Sequence, residues 1–439
     1  MELQKPMKIP TSAHPRIVII GGGFAGMELA KKLRNKPFQI VLLDKNNYFN
    51  FQPLLYQVAT SGLEPNSIAF PLRRVFRNAR NVFFRMTEVS HIDPENHTVQ
   101  TGIGPIDYDY LVIATGSQAN YFGLDPSKLL PLKSVPQALQ LRNHILGEFE
   151  KALVADSPEE QKARINFVVV GGGPTGVELA GALGEMKNFV LPRDYPELDF
   201  SAMNIFLVEG MDRILPTMSE TASSKARSYL EALGVQIHLK TLVKEYQGRA
   251  IDINGIQVPS RNLIWTAGVK AASLPGLEEA LGKSGRIQVD AFNRIAAYQD
   301  IFAIGDVAEM ASEDAPRGHP MLAPVAIQQG RLLGQNLLRL QQGQPLKPFE
   351  YFDKGTMATI GRNKAVADWG KLHLSGFLAW MAWMFVHLFT LVGFRNKLVV
   401  LVNWVYNYFT YDKALRLIIK RGKNQEETFE ETVTESVSA

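Results

Sequence analysis

Two glycine clusters in the sequence have the spacing that binds the diphosphate of a dinucleotide. Residues 21–26 read GGGFAG and residues 171–176 read GGGPTG, so both fit the pattern G-x-G-x-x-G. The first glycine of this pattern allows a tight turn, the second lets a diphosphate approach the backbone, and the third lets a helix pack against a strand. The following helix offers free N–H groups and the positive end of its dipole to the phosphates.

An acidic residue follows each cluster at the end of the next apolar run. Asp44 ends the run 39–43, and Glu209 ends the run 203–208, which comes later because residues 186–201 resemble an insertion. A carboxylate at this place accepts hydrogen bonds from the adenosine ribose, and Glu209 therefore favours NADH over NADPH. Arg213 lies nearby and weakens that preference slightly.

The elements that must position these groups occur twice. Residues 17–20 and 167–170 have the length and β-branched composition of buried strands, and a helix is predicted over 27–36. The offset between the glycine clusters is 171 − 21 = 150, and that between the later ATG and TAG triplets is 267 − 115 = 152. Two features repeated at almost one offset imply two copies of one dinucleotide-binding architecture.

A third buried strand, predicted over 300–307, ends on Gly305 and Asp306. It follows the second unit but resembles a strand that returns to the first, so the second unit is predicted to be inserted in the first. The fold class is therefore α/β with two Rossmann-like dinucleotide-binding domains, followed by a C-terminal amphipathic-helix membrane anchor.

Composition excludes several kinds of chemistry. The sequence has 439 residues, a net charge of +4 and no cysteine. The absence of cysteine excludes disulfides, cysteine-ligated iron–sulfur clusters and redox thiol pairs. The modest charge gives no reason to expect a nucleic-acid partner. His91 and His97 flank a turn without ligand spacing, so we predict no metal site.

These motifs together resemble the flavoproteins with two dinucleotide-binding domains. Residues 355–369, GTMATIGRNKAVADW, and the segment 375–412 further resemble the C-terminal region of type II NADH dehydrogenases, which are single-subunit NADH:quinone oxidoreductases that pump no protons. The resemblance implies FAD in the first unit, NADH as co-substrate in the second, and electron transfer to a membrane quinone. It implies an FAD domain formed by residues 1–125 and 286–345, an NADH domain over 126–285 and a membrane-association region over 346–439.

The resemblance also implies which residues hold the two nucleotides. Those expected at FAD are Gly21, Gly22, Gly23, Phe24, Ala25, Gly26, Asp44, Lys45, Gln52, Val89, Ala114, Thr115, Gly116, Gly305 and Asp306. Those expected at NADH are Gly171, Gly173, Pro174, Thr175, Gly176, Glu209, Ala267 and Gly268. The aromatic and amide-rich stretch 46–63 suits the wall of a flavin site, although simple loop packing explains its composition equally well.

The quinone contacts are expected near residues 323–329. The family's proposed quinone motif, A-Q-x-x-A-x-Q or A-Q-x-A-x-Q, has Pro324 in place of its first glutamine here, and proline has no N–H to donate. We therefore expect Ala326, Gln328 and Gln329 to line the quinone site, with Gln328 donating to a carbonyl. Lys364 is a further candidate, and an ordinary exposed lysine is its alternative interpretation.

Glu178 is the third predicted catalytic residue, beside Gln328 and Lys364. It follows the second glycine cluster by two residues, where nicotinamide and flavin should meet, and Glu28 is its counterpart in the first copy. Glu178 is expected to order the nicotinamide or to relay protons. The alternative is that both glutamates only complement the helix dipole.

The C-terminal region predicts two amphipathic helices on a membrane. Residues 377–394 carry no charge if His387 is neutral, and Trp380, Trp383, His387, Thr390 and Phe394 recur on one helical face. Cations at 413, 416, 420, 421 and 423 suit an anionic surface. We expect a peripheral protein on the cytoplasmic face of the inner membrane. A buried core helix with a solvated basic face is the alternative, and residues 424–439 are expected to be disordered.

Two other functions remain open at this point. One is a soluble NADH-dependent reductase of a small electron-carrier protein, and the other is a flavoprotein redox sensor whose tail binds a partner. The sequence leaves the oligomeric state open, with a homodimer as one option.

Overall fold

The computed structural model describes residues 7–313, 315–412 and 415–419. Its first segment contains β1 (Arg16–Ile20), α1 (Phe24–Lys32), β2 (Gln39–Asp44), β3 (Tyr48–Asn50), α2 (Leu55–Ala59), α3 (Pro65–Ile68), β4 (Ala69–Pro71), α4 (Leu72–Val75), β5 (Val82–Met86), β6 (Val89–Asp93), β7 (Thr98–Thr101), β8 (Ile106–Asp107), β9 (Tyr110–Ile113) and β10 (Ser117–Ala119). Helix α1 begins three residues earlier than the apolar pattern predicts, directly after Gly23.

The second segment forms a complete parallel sheet of its own. It contains β11 (Leu130–Pro131), α5 (Val135–Ala152), α6 (Pro158–Ile165), β12 (Phe167–Val170), α7 (Pro174–Glu185), α8 (Leu191–Asp194), β13 (Ile205–Val208), α9 (Glu220–Ala232), β14 (Val235–His238), β15 (Ala250–Ile253), β16 (Ile256–Pro259), β17 (Asn262–Trp265) and β18 (Val269–Ala271). A π-helical turn, Met186–Val190, joins α7 to α8. The sheet order is β11-β17-β12-β13-β14, and the three inner strands are buried throughout, as expected when helices cover both faces.

The third segment returns the chain to the first sheet. It contains β19 (Ile287–Gln288), β20 (Ile301–Ala303), β21 (Ala308–Glu309) and α10 (Ala323–Gln341). Strand β20 pairs in parallel with β9, which completes a five-stranded sheet in the order β20-β9-β1-β2-β5. The second unit is therefore inserted in the first, and the predicted α/β fold class is confirmed.

The C-terminal segment adds a small antiparallel sheet and two helices. The strands are β22 (Thr356–Thr359), β23 (Ala365–Trp369) and β24 (Leu372–Gly376), and the helices are α11 (Phe377–Thr390) and α12 (Phe394–Thr410). In the part of the chain that the structure describes, no helix is both long and apolar enough to cross a membrane.

The apolar run 377–394 is not one continuous helix. Gly393 takes a φ of +86°, and a Cβ there would lie 2.4 Å from the Phe70 ring, so the chain turns between α11 and α12. Trp383 faces the protein, whereas Thr390 and Phe394 are exposed, which corrects their placement on one shared face.

The outward faces of both helices remain apolar. On α11 the exposed large apolar side chains are Phe377, Leu378, Met381, Phe385, Val386 and Phe389, and on α12 they include Phe394, Leu398, Val402, Val405 and Phe409. Arg416, expected on a basic face, instead pairs with Asp194 and Asp412. The cations at 413, 420, 421 and 423 and the acidic stretch 424–439 lie outside the described residues.

Candidate functional site

The glycine loops have the shape that a diphosphate requires. Gly21 and Gly171 take φ angles of +107° and +110°, which side chains rarely adopt. A Cβ on Gly26 would lie 1.9 Å from the Gly21 carbonyl oxygen, so the helix packs too closely for any other residue. Around the middle glycines, Gly23 and Gly173, a Cβ would meet nothing within 4 Å. Each loop is therefore tight at both ends and open in the middle.

Both loops lead into helices that no side chain caps. Gly23 precedes α1 and Gly173 precedes α7, and neither provides a side-chain hydrogen bond to the first turn. Pro174 at the start of α7 has no N–H and suits this position. The predicted loop residues Phe24, Ala25 and Thr175 lie in these first turns, where the free N–H groups of a helix suit an anion.

The two acidic residues occupy equivalent places. Asp44 Oδ2 accepts a hydrogen bond from the Gly22 N–H at 2.7 Å, and Glu209 Oε2 accepts one from the Gly172 N–H at 2.5 Å. Burial raises the pKa of Asp44, although backbone hydrogen bonds oppose the increase. Each carboxylate therefore lies against its glycine loop at the end of the neighbouring strand, where an adenosine ribose is expected.

A polar network surrounds Asp306 at the end of β20. Ser117 donates to Asp306 Oδ2 at 2.6 Å, and Lys133 Nζ donates to Ser117 Oγ at 3.0 Å. Thr115 Oγ1 is buried without a hydrogen-bond partner among the described residues, and a Cβ on Gly116 would meet nothing within 4 Å. An orphaned hydroxyl beside open space fits a bound polar cofactor such as FAD. Sequence reasoning missed Ser117 and Lys133, which carry no motif.

The remaining predicted nucleotide contacts are scattered. Lys45 and Gln52 are exposed beside the first loop, and Val89 is buried in β6. Ala267 packs against Gly171, and Gly268 lies under the Phe122 ring. Their roles at FAD and NADH stay predictions.

Glu178 lies on the wall of a cavity of about 130 Å³. The cavity is lined from α2, α7, the turn after β22, α11 and α12, by Tyr56, Gln57, Thr60, Gly62, Glu178, Ala182, Glu185, Val190, Thr359, Gly361, Arg362, Trp380, Trp383, Met384, Trp404, Asn407, Tyr408 and Tyr411. The cavity thus lies between the inserted domain and the C-terminal helices, and no local sequence pattern predicts that these parts meet.

The carboxyl group of Glu178 is held by the C-terminal region. Its Oε1 accepts hydrogen bonds from Trp383 Nε1 at 3.1 Å and from the Thr359 N–H at 3.4 Å, and the residue is only 6% exposed. Burial raises the pKa of Glu178 to about 8, against its ordinary value of 4.5, while the two hydrogen bonds oppose the increase. At neutral pH this side chain therefore carries a proton.

Glu28, the counterpart in the first unit, has a different environment. Lys31 Nζ lies 3.0 Å from its Oε1, and Arg331 Nε lies 2.8 Å from its Oε2. Burial raises the pKa of Glu28, but these two cations outweigh it and the net shift is downward. Glu28 is a structural ion-pair partner. The helix-dipole interpretation does not fit Glu178, which is the fifth residue of α7 and faces Trp383.

The structure places the predicted quinone residues differently from the sequence reasoning. Gln328 donates from Nε2 to the Phe352 carbonyl at 2.9 Å and accepts from the Phe352 N–H at 3.0 Å, so its amide holds the chain after α10. Gln329 is buried and accepts from the Gly305 N–H at 2.7 Å, and Ala326 packs beside Gly305. Gln329 and Ala326 thus face Gly305, whereas Gln328 points away.

Lys364 also lies away from the cavity wall. Its ammonium group is 5.5 Å from the centre of the Tyr229 ring on α9. Gln328 and Lys364 do not line this cavity, whereas Glu178 does. The Gln328 amide holds Phe352, and Lys364 faces a helix of the inserted unit. This geometry favours Glu178 over the other two, and the roles of all three residues at the quinone stay predictions.

His387 lies on α11 in surroundings that favour its neutral form. Burial lowers its pKa to about 4, and its ring stacks on Trp383 at a centroid distance of 4.1 Å. Its Nδ1 donates to the Trp383 carbonyl at 2.8 Å. Of the aromatic face predicted for this helix, Trp380 and Trp383 line the cavity.

Comparison with known proteins places the chain in a family. Residues 15–330 match the family model described as pyridine nucleotide-disulphide oxidoreductase, and residues 354–411 match the NDH2 C-terminal domain. Because this chain has no cysteine, it shares the architecture of the first family without a redox disulphide.

Individual relatives narrow the family further. The type II NADH:quinone oxidoreductase Ndh of Mycobacterium tuberculosis is 36% identical, with 92% of this chain and 91% of that protein covered. NdhA of the same organism is also 36% identical, over 89% of this chain and 86% of that protein. The structure of NDH2 from Plasmodium falciparum in complex with NADH has the same fold, with a TM-score of 0.84 at 20% identity, covering 92% of this chain and all of that one. The chain belongs to the type II NADH:quinone oxidoreductase family.

Proposed function

We propose that this protein transfers electrons from NADH to a membrane quinone without pumping protons, with FAD as its resident cofactor. The observation that carries the proposal is the cavity in which a protonated Glu178 meets two helices with exposed apolar outer faces. An apolar electron acceptor that takes up protons needs both features.

The nucleotides are assigned to the two loops. The first glycine loop, Asp44 and Asp306 would hold FAD, and the second loop with Glu209 would hold NADH. When bound, FAD supplies the two-electron chemistry that connects a hydride donor to a quinone. The protein contributes the binding, the orientation and the electrostatics around that reaction.

Glu178 is the proposed proton donor to the quinone. Reduction of a quinone to a quinol consumes two electrons and two protons, so a group that is protonated at neutral pH beside the acceptor is useful. Trp383 fixes Glu178 Oε1, and Oε2 has no protein hydrogen bond in the described part of the chain. The proton on Oε2 can therefore reach a carbonyl oxygen in the cavity, and solvent resupplies it after turnover.

The two C-terminal helices are proposed to dock the enzyme on the bilayer. Both helices have exposed apolar faces, and cations lie beside aromatic rings in this region. Lys397 Nζ lies 5.5 Å from the centre of the exposed Phe389 ring, and Arg74 lies 5.4 Å from that of Phe70, which packs against Gly393. Apolar side chains bordered by cations fit an anionic lipid surface. We propose the cytoplasmic face of the inner membrane, and a homodimer stays a prediction.

Vesicle flotation tests the docking surface. The double variant Phe385→Ser, Phe389→Ser should lose binding to vesicles that contain anionic lipid. The control Val154→Ser, Ile256→Ser removes equally exposed apolar side chains from the inserted unit and should float like wild type. Equal flotation of both double variants would contradict the docking assignment.

Steady-state turnover tests the function itself. The FAD-loaded protein should oxidise NADH continuously with a short-chain soluble quinone as the only acceptor. A reductase of a small electron-carrier protein would instead need that protein, and a redox sensor would stop after one turnover. Either behaviour would overturn the proposal.

A further inference from the structure

Tyr56 on α2 contributes a phenol to the lining of the cavity that contains Glu178. The residue is 5% exposed and belongs to the first unit, whereas other parts of the cavity lining come from the C-terminal helices. It lies in the aromatic and amide-rich stretch after β2, for which the sequence provided no specific role.

A short hydrogen-bond chain sets the direction of the Tyr56 hydroxyl. Trp404 Nε1 on α12 donates to Gln57 Oε1 at 2.8 Å. An indole N–H can only donate, so this bond fixes which end of the Gln57 amide is oxygen. The amide nitrogen then donates to the Tyr56 oxygen at 2.9 Å. Because that oxygen acts as an acceptor, its own proton points elsewhere, and it is donated to no protein atom in the described residues.

The arrangement repeats what the structure shows at Glu178. There Trp383 on α11 donates to Oε1 and leaves Oε2 available to the cavity. Each C-terminal helix thus contributes one indole, and each indole fixes one acceptor and leaves one O–H group uncommitted. Tyr56 and Glu178 therefore both line the cavity with a satisfied acceptor and an O–H group that has no protein acceptor among the described residues, which suits a molecule that accepts hydrogen bonds.

We propose that Tyr56 is a catalytic residue of quinone reduction, donating a hydrogen bond to a quinone carbonyl oxygen while Glu178 provides a proton. Gln57 and Trp404 are positioning residues that orient the hydroxyl. This inference rests on the proposed function. Tyr56 keeps its proton throughout: its hydrogen bond stabilises the negative charge that develops on the carbonyl oxygen as two electrons arrive, and the two protons of the quinol come from Glu178 and from solvent.

The electrostatics support a hydroxyl that does not ionise. Burial raises the pKa of Tyr56 well above its ordinary value. Glu178 and Glu185 add to the increase where they are ionised, and the hydrogen bond from Gln57 opposes it only in part. The hydroxyl is therefore a donor at every pH at which the enzyme is assayed.

Tyr56→Phe removes the donor and keeps the ring. The rate at which anaerobic NADH bleaches the bound flavin should match wild type, whereas kcat/KM for a soluble quinone should fall on the order of a hundredfold. Turnover with ferricyanide, which takes electrons without a carbonyl or a proton, should be unchanged. Tyr246→Phe is the matched control, because Tyr246 is a buried tyrosine whose hydroxyl donates to the Ser260 carbonyl in the inserted unit.

Trp404→Phe tests the positioning chain. We expect a loss of about tenfold in quinone kcat/KM, and no further loss when this change is added to Tyr56→Phe, because both act through one hydroxyl. If the two losses in quinone kcat/KM instead multiply in the double variant, Trp404 does not act through the Tyr56 hydroxyl and its positioning role is overturned. If Tyr56→Phe fails to retain FAD, the test uses Trp404→Phe alone, since that variant leaves Tyr56 in place. An unchanged quinone kcat/KM in Trp404→Phe would then refute the proposed roles of Trp404, Gln57 and Tyr56.

Failure of the inference is distinguishable from failure of the function. If wild type reduces quinone and Tyr56→Phe stays within twofold of it, Tyr56 does not contact the quinone. If wild type bleaches with NADH but never turns over with quinone, the proposed function itself is wrong.

Discussion

The buried carboxyl group of Glu178 should make both the stability and the activity of the protein depend on pH. Its pKa of about 8 in the folded protein exceeds the ordinary value of 4.5, so between these two pH values the folded state binds more protons than the unfolded state. Glu178 therefore contributes its whole stabilisation below pH 4.5, and this stabilisation is lost progressively as the pH rises from 4.5 through 8. Glu178→Gln keeps an oxygen acceptor for Trp383 but cannot ionise.

The size of the effect follows from the shift. At about 1.36 kcal/mol for each pKa unit, ionisable Glu178 costs about 3 kcal/mol at pH 7 and at most about 5 kcal/mol at pH 9. For a chain of 439 residues, 1 kcal/mol moves Tm by roughly 1 °C. Glu178→Gln should therefore exceed wild type in Tm by about 1 °C at pH 5, about 3 °C at pH 7 and about 5 °C at pH 9.

Thermal unfolding of the FAD-saturated proteins across this pH range is the assay, with quinone turnover measured in parallel. Glu178→Gln should retain FAD and lower kcat, and it should lack the decline in activity above pH 8 that we expect of wild type. Glu28→Gln is a control in which the effect on stability has the opposite sign. The pKa of Glu28 is lowered in the folded protein, so Glu28 stabilises the fold at neutral pH and loses this effect in acid. The variant should therefore be less stable than wild type at pH 7. Equal Tm values for Glu178→Gln and wild type at pH 9 would refute the reasoning.

Two further substitutions separate the nucleotide and quinone assignments. Glu209→Gln should narrow the NADH/NADPH ratio of kcat/KM, mainly through KM, because the charge that repels a 2′-phosphate is gone; an unchanged ratio would place ribose recognition elsewhere. Gln328→Leu should leave flavin reduction by NADH and reoxidation by quinone unchanged in stopped-flow and cost about 1–2 kcal/mol of stability, since it breaks two hydrogen bonds to Phe352. A raised quinone KM in that variant would restore the contact expected from the sequence.

The parts of the fold and site that could be predicted from the sequence are those defined by the spacing of residues close together in the chain. The glycine loops and the carboxylates Asp44 and Glu209 follow from the G-x-G-x-x-G pattern and the apolar run after it. The return of the strand at 300–307 to the first sheet is predicted by resemblance and not by local spacing. Repetition of those patterns at one offset also predicted the two-domain α/β fold, because each copy must form the same strand–turn–helix unit.

The site wall depends on contacts that no local pattern contains. Glu178 and Trp383 are 205 residues apart, and Gln57 and Trp404 are 347 apart. Gln328 and Gln329 are neighbours on α10, so they point about 100° apart, and only packing decides which one faces Gly305. The sequence could show that a glutamine belonged near the site, but it could not show which.

Anaerobic titration of the FAD-loaded enzyme is the most direct test of the central claim. Stoichiometric NADH should bleach the visible absorbance of the flavin, and one equivalent of quinone should restore it, with quinol formed in the same amount. Bleaching by NADH without recovery on addition of quinone would contradict the account, because it would show that the cavity bounded by Glu178 does not deliver electrons to a quinone.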